Sequence, residues 1–381
     1  MPSPSADPAA AVAGPVRFAT GTTVKDYDWY HRWLTVAESA GCFEILTTGD
    51  SQSLWADPFI SLTVAAERTT RPRLGVTVSN PMTRHPAVVA SSLVALQRLS
   101  SGRMIYGFSS GDSALRNIGV SPAGLGELEE FGRAVKGLCH GEAVIWHGTE
   151  LVLRWGSHPV PLWMAAEGPK TQFLAGQIAD GVVLSNALDA DVMAQARANL
   201  AAGAASVGRA IDEIEIWCMA AMCLADSEEE GIVKLQSQLA GTANHVYRFH
   251  MDGKGLPDEY RQALITLKER YDSRVHATPE LAAANAKLVE DLGLVDFLAR
   301  RSVIAGPPQR CVERIRQAAA AGATNLIVSQ FVNDPFDFME TFADQIAPAF
   351  ASGGAVGGTV EAGRPGDDPV RERDGWGGGN R

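Results

Sequence analysis

Residues 73–116 read RLGVTVSNPMTRHPAVVASSLVALQRLSSGRMIYGFSSGDSALR, and the order of patterns in this stretch decides the fold. An apolar run, Leu74 to Val78, leads into a polar turn, Ser79 to Arg84, and then into a helix and a second apolar run, Met104 to Phe108. Val89, Leu93 and Leu96 recur at the spacing of one helical face, and Pro86 suits the first turn. Two short apolar runs joined by one helix make a β-α-β unit, which requires parallel strands and a right-handed crossover. Polar residues and glycines gather just after each strand, the end at which α/β folds keep their chemistry.

The same rhythm extends in both directions. Val16 to Thr20, Phe43 to Thr47, Leu162 to Ala165, Gly181 to Ser185, Ile214 to Leu224 and Asn325 to Ser329 read as further strands. Helices are expected at Tyr27 to Ala40, with Gly41 as stop, and at Pro58 to Arg68, Leu125 to His140, Val192 to Val207, Pro308 to Ala321 and Phe336 to Phe350. Val144 to Leu153 carries a hairpin signal about His147-Gly148. Asp226 to Ser302 breaks the rhythm and reads as a long, mostly helical insertion over one end of the domain.

Eight β runs alternating with helices predict an α/β fold, a (β/α)8 TIM-type barrel over 16–350 with the insertion at about 226–302. Residues 1–15 read as a loose tail, and the Gly-rich, charged 351–381 as a disordered one. A doubly wound sheet is the alternative, weakened by the lack of a G-x-G-x-x-G after the first strand.

Hydrophobic residues make up 46% of the 381 and charged residues 20%, enough to bury a large core. The net charge of −11 argues against nucleic acid or an anionic membrane as the main partner. Cys42, Cys139, Cys218, Cys223 and Cys311 are scattered with no C-x-x-C, which fits a reducing cytoplasm better than a disulfide framework. No apolar run reaches membrane-spanning length, and the first residues lack the pattern of a signal peptide.

Ser109-Ser110-Gly111-Asp112-Ser113-Ala114 offers hydroxyls, successive N–H groups and a glycine, which suits a phosphate but also an ordinary strand-to-helix turn. Asp50 at the end of the second strand is either a site carboxylate or a cap. Asp112 either faces the barrel mouth or forms the turn. His85, before Pro86, is either a proton donor or a histidine bonded within the turn beside Arg84. His245 and His250, five apart, share no helical face, so no metal pair is expected, and they read as insertion residues that shape the pocket. Trp29, Trp33 and Trp55 are either pocket walls or core.

Three segments in series, Val78 to Pro86, Leu99 to Arg103 and Gly111 to Ala114, resemble the bacterial luciferase-like superfamily, in particular the branch of methylenetetrahydromethanopterin reductase. Gly49-Asp50-Ser51, Gly168-Pro169-Lys170-Thr171 and Ala175 to Val182 fit the same pattern. The resemblance implies a barrel whose open mouth holds reduced FMN or the deazaflavin coenzyme F420. It implies a bulge behind the ring, in several members a non-prolyl cis peptide, here at Thr77-Val78. Asn80 is then expected at the ring's polar edge and Ser109, Gly111, Ser113, Gly168 and Lys170 at the phosphate, with Asp50, His85 and Asp112 as the catalytic candidates.

The expected activity on this basis is a monooxygenase that uses reduced FMN and dioxygen on a small organic substrate. A separate NAD(P)H-dependent flavin reductase would supply the cofactor, and the chain would form a homodimer. The alternatives are an F420-dependent reductase or dehydrogenase and a non-catalytic flavoprotein.

Overall fold

The computed structural model describes residues 15–272, 279–330 and 332–351. The two tails expected at 1–15 and 351–381, apart from Pro15 and Ala351, lie outside the described residues, as does His276.

The chain runs β1 (Arg17–Thr22), α1 (Tyr27–Ala40), β2 (Phe43–Thr48), α2 (Pro58–Arg68), β3 (Arg73–Ser79), α3 (Pro86–Leu99), β4 (Met104–Phe108), α4 (Ser113–Arg116) and α5 (Leu125–His140). A hairpin follows, β5 (Val144–Trp146) and β6 (Thr149–Leu151), and then β7 (Leu162–Ala165), α6 (Pro169–Ile178), β8 (Gly181–Leu184), α7 (Ala190–Ser206) and β9 (Glu215–Leu224). Five helices come next: α8 (Glu228–Lys234), α9 (Gln236–Tyr247), α10 (Asp258–Arg270), α11 (Pro279–Asp291) and α12 (Val295–Ser302). The chain ends with β10 (Val303–Gly306), α13 (Pro308–Ala320), β11 (Asn325–Gln330) and α14 (Pro335–Thr341).

Local chemistry sets these limits. Asp26 accepts from the Trp29 N–H at the start of α1, and Gly41 takes the left-handed conformation (φ 70°) that ends it. Asp57 caps α2 through the N–H groups of Phe59 and Ile60, with Pro58 in the first turn. At the hairpin, His147 (φ 47°) and Gly148 (φ 81°) form the two-residue turn that matches strand twist.

Apart from the β5–β6 hairpin the strand pairings are parallel, and they close a ring in the order β1-β2-β3-β4-β7-β8-β9-β11 and back to β1. The fold is therefore the eight-stranded barrel with flanking helices that the sequence predicts.

One strand is missing from that expectation. β10 pairs with the upper part of β9, Val303 opposite Ala221 through Gly306 opposite Leu224, while β8 pairs with the lower part. Its four residues follow α12 with no polar turn between them, so in sequence they look like the tail of the helix. The closing helix also departs from the expected 336–350. After α14 the chain widens into a π turn over Phe342–Ile346 and tightens into a 3-10 turn over Ala347–Phe350, where Pro348 has no N–H to return.

Inside the ring one layer takes a residue from seven of the eight strands: Ala19, Ile45, Ile105, Trp163, Val183, Trp217 and Ile327. Trp163 and Trp217 stack with ring centroids 5.9 Å apart. Glycines make the room, since a Cβ on Gly75 would lie 2.3 Å from Ile105 and one on Gly181 would lie 2.4 Å from Trp163. Below this layer, Glu215 accepts from both terminal nitrogens of Arg73 (2.8 Å each) and from Trp217 Nε1 (3.0 Å). The N-terminal end is closed, and open space is left at the C-terminal ends of the strands. Helices α9, α10, α11 and α12 carry an apolar cluster of their own, including Leu239, Leu264, Val289 and Phe297, which packs on Cys223, Val303 and Ala305 of β9 and β10.

Gly176, in the stretch Ala175 to Val182, serves helix packing. A Cβ there would come 2.2 Å from the Leu200 carbonyl oxygen, and one on Gly203 would come 1.9 Å from that of Phe173. Gly176→Ala and Gly203→Ala should each remove about 1–3 kcal/mol of stability by forcing α6 and α7 apart. Urea unfolding should show a lower midpoint at unchanged slope, and an unmoved midpoint would refute this packing.

Candidate functional site

Three neighbouring strands end on one cavity of about 190 Å³. β2 contributes Gly49, Asp50 and Ser51, β3 contributes Thr77, Val78, Ser79 and Asn80, and the turn after β4 contributes Ser109 and Gly111 to Ala114. Trp55 and His245 complete the wall. The Thr77–Val78 peptide is cis, and the β3–β4 register shifts between Val76 and Ser79. That is the bulge the resemblance implies, at the same residues.

Asp50 does not cap a helix, since Asp57 holds that position on α2. Its side chain is fully buried, and its Oδ2 accepts from Ser79 Oγ and from Arg84 Nη1, both at 2.6 Å. Arg84 Nη2 reaches on to Asp57 at 2.7 Å. Burial works against the Arg84 charge, but the two carboxylates outweigh it and hold the guanidinium above its ordinary range. Asn80 Oδ1 accepts from the N–H groups of Met82 and Thr83, both 3.0 Å, an Asx turn that fixes the amide. Three buried polar atoms of cavity-lining residues have no partner among the described residues: Asp50 Oδ1, an acceptor, and Asn80 Nδ2 and Trp55 Nε1, both donors.

Gly111 has φ +92°, which favours glycine, and a Cβ there would lie 2.3 Å from Leu115 and 3.3 Å from Asn80. The glycine is thus required by the turn itself, on the rim of the cavity that it lines. Ser113 Oγ shares a hydrogen bond with Ser51 Oγ at 3.1 Å, tying the turn after β4 to the one after β2.

Asp112 lies where three positive groups or donors meet: Arg116 Nη2 at 2.6 Å, Arg248 Nη1 at 2.8 Å and His245 Nδ1 at 3.2 Å. Burial alone would raise its pKa, but the hydrogen bond from His245 and the two guanidinium charges pull it down to about 2. Arg248, whose side chain is 9% exposed, also donates to the Gly111 carbonyl at 3.0 Å.

The phosphate cradle expected from sequence is only partly assembled on this cavity. Ser109, Gly111 and Ser113 line it, whereas Gly168 and Lys170 stand on the adjacent turn after β7, at the start of α6. Lys170 is exposed. The buried cation beside Gly168 is Lys254, whose Nζ donates to the Val246 carbonyl and whose Cε lies near Gly168. Burial lowers the Lys254 pKa. Arg248 and Lys254 had no local signal in the sequence, because both come from the segment after β9.

His85 is not brought to the cavity. It is exposed and caps α3, its Nδ1 accepting from the Ala87 N–H at 3.2 Å, with its ring edge-on to Trp146. The proton-donor reading of His85 is therefore set aside. Of the three tryptophans, Trp55 is wall, Trp33 is core and Trp29 packs on Phe336. His245 does shape the pocket, as the sequence suggests, while His250 is exposed.

A planar, polar-edged ring system fits these groups, since an acceptor and two donors are left unpaired on residues that line the cavity with the Thr77–Val78 bulge. The sequence profile of the family described as luciferase-like monooxygenase matches residues 11–325. A 5,10-methylenetetrahydromethanopterin reductase of Methanolobus tindarius is 29% identical over 284 residues, 71% of this chain and 81% of that protein. An F420-dependent glucose-6-phosphate dehydrogenase of Intrasporangium calvum is 26% identical over 305 residues, 75% and 82% of the two chains. Among solved structures, the coenzyme F420 dependent tetrahydromethanopterin reductase from Methanopyrus kandleri superposes with a TM-score of 0.67 at 23% identity, covering 88% of this chain and 100% of that one.

The lowered Asp112 pKa sets a pH test. A carboxylate held below its ordinary range adds stability above pH 4 that is lost as pH falls towards 2. Asp112→Asn should therefore be less stable than wild type by about 2 kcal/mol at pH 7, with the gap closing between about pH 4 and pH 2. Urea melts across that range measure it, and a pH-independent gap would show that the ion pairs do not set it.

Proposed function

Because this chain belongs to the luciferase-like monooxygenase family, a family of oxidoreductases, we propose that it is an F420-dependent oxidoreductase acting on a small organic substrate. The observation that carries this reading is the pair of leftover buried atoms, Asp50 Oδ1 and Asn80 Nδ2, on a cavity at the C-terminal ends of β2 and β3. Relatives that share sequence over most of the chain support F420 rather than FMN. The expected FMN and dioxygen chemistry, with its separate flavin reductase, has its support in the family description and gives way as the first choice.

When bound, the deazaflavin supplies a ring carbon that carries hydride to or from the substrate. The chain supplies the rest. Asn80 Nδ2 would donate to the polar edge of the ring, with the Thr77–Val78 backbone behind it. Asp50, locked by Ser79 and Arg84, would hold a fixed acceptor next to the reacting face. Ser109, Ser113 and the N–H groups of Gly168 and Lys170 at the start of α6 would take the phosphate, with Arg248 and Lys254 as its buried counter-charges. Trp55 would exclude water from one side.

Titration of the purified protein with F420 and with FMN, followed by absorbance and fluorescence, separates the readings. F420 should bind the wild type, and Asn80→Ala should weaken it about tenfold, or ~1.4 kcal/mol. Protein that ignores F420 but consumes oxygen productively with reduced FMN would overturn the proposal.

A further inference from the structure

His245 comes from α9, outside the β-α repeat, yet it lines the same cavity as Asp50 and Asn80. Its Nδ1 is 3.2 Å from Asp112 Oδ2. That carboxylate is paired with Arg116 and Arg248 as well, so it stays an anion. An ionised carboxylate only accepts hydrogen bonds, so Nδ1 must carry the hydrogen. In the neutral ring the accepting nitrogen is then Nε2, and among the described residues no group is hydrogen-bonded to it. The charged groups around the imidazole are Asp112, Arg116 and Arg248; Asp50 shares the cavity, and Tyr271, after α10, interacts with Asp112 and Arg116.

A base oriented through its far nitrogen by a fixed carboxylate is the arrangement that proton-transfer chemistry uses. We propose that His245 exchanges the catalytic proton with the substrate at Nε2, with Asp112 as its positioning residue. The proposal rests on the oxidoreductase reading above. In oxidation of an alcohol, the C–H bond leaves as hydride to the oxidised coenzyme. The O–H bond breaks, its electron pair completes the C=O bond, and the proton goes to Nε2. Reduction reverses each move: the acceptor takes hydride from the reduced coenzyme and a proton from the Nε2–H of the imidazolium.

Two measurements test this. The first needs no coenzyme: NMR of histidine labelled with ¹⁵N should show the His245 ring with its hydrogen on Nδ1, and Asp112→Asn should shift that ring towards the other tautomer. A wild-type ring with its neutral hydrogen on Nε2 overturns the proposal. The second uses the F420-loaded protein and menadione as hydride acceptor, which consumes one hydride and one proton per hydroquinone formed. His245→Gln should slow the reaction about 100-fold or more while F420 affinity stays within threefold. Equal rates in variant and wild type, or wild-type protein that binds F420 and leaves menadione unreduced, overturn the proposal. Wild-type protein that binds no F420 removes the functional reading instead.

Discussion

Closure of the parallel ring is the constraint on which the rest of the molecule depends. Eight strands joined edge to edge close on themselves, and their shared direction puts every β-to-α turn at one end. The interior is too narrow for anything but side chains, and Trp163 and Trp217 fill it with help from Gly75 and Gly181. Glu215, Arg73 and Arg17 close the lower end with an ion-pair network against the two indoles. Chemistry is confined to the upper rim because the lower end is packed.

At that rim two carboxylates are drawn out of water, and each is answered by arginine. Asp50 meets Arg84, which meets Asp57; Asp112 meets Arg116 and Arg248. A lone buried charge would be far less favourable than these pairs, so the networks fix side-chain positions as much as they stabilise. The atoms left over stand out against this background. Asp50 Oδ1, Asn80 Nδ2 and, two strands further on after β7, Glu167 Oε2 are buried without a partner among the described residues. Glu167 uses its other oxygen to hold the Ser185 N–H at 2.8 Å. Such groups mark where a ligand's polar atoms would complete the count.

The long helical segment before β10 joins the two themes. Its apolar cluster seats it on β9 and β10, and its polar residues His245 and Arg248 reach across to the turn after β4. Without that segment Asp112 would keep only Arg116 at its own helix end. The turn is therefore shaped by a part of the chain more than a hundred residues away.

What the sequence determined by itself was whatever depends on neighbours along the chain. Alternation of apolar runs and amphipathic helices specified the barrel, and Asp26, Gly41, Pro58 and the His147-Gly148 turn set element limits through local backbone chemistry. The rim turns were legible too, since Gly49 to Ser51, Ser79-Asn80 and Ser109 to Ser113 directly follow strands. Tertiary structure alone decided which of their residues meet. It sent His85 to a helix cap and gave Arg84 to Asp50. It left Lys170 exposed and set the buried Lys254 beside Gly168, and it brought His245 to Asp112. It also decided β10, whose four residues are a strand only because the upper half of β9 offers an unpaired edge. Contacts of this kind are set by where closed strands and packed helices come to rest in space, and spacing along the chain carries no record of that.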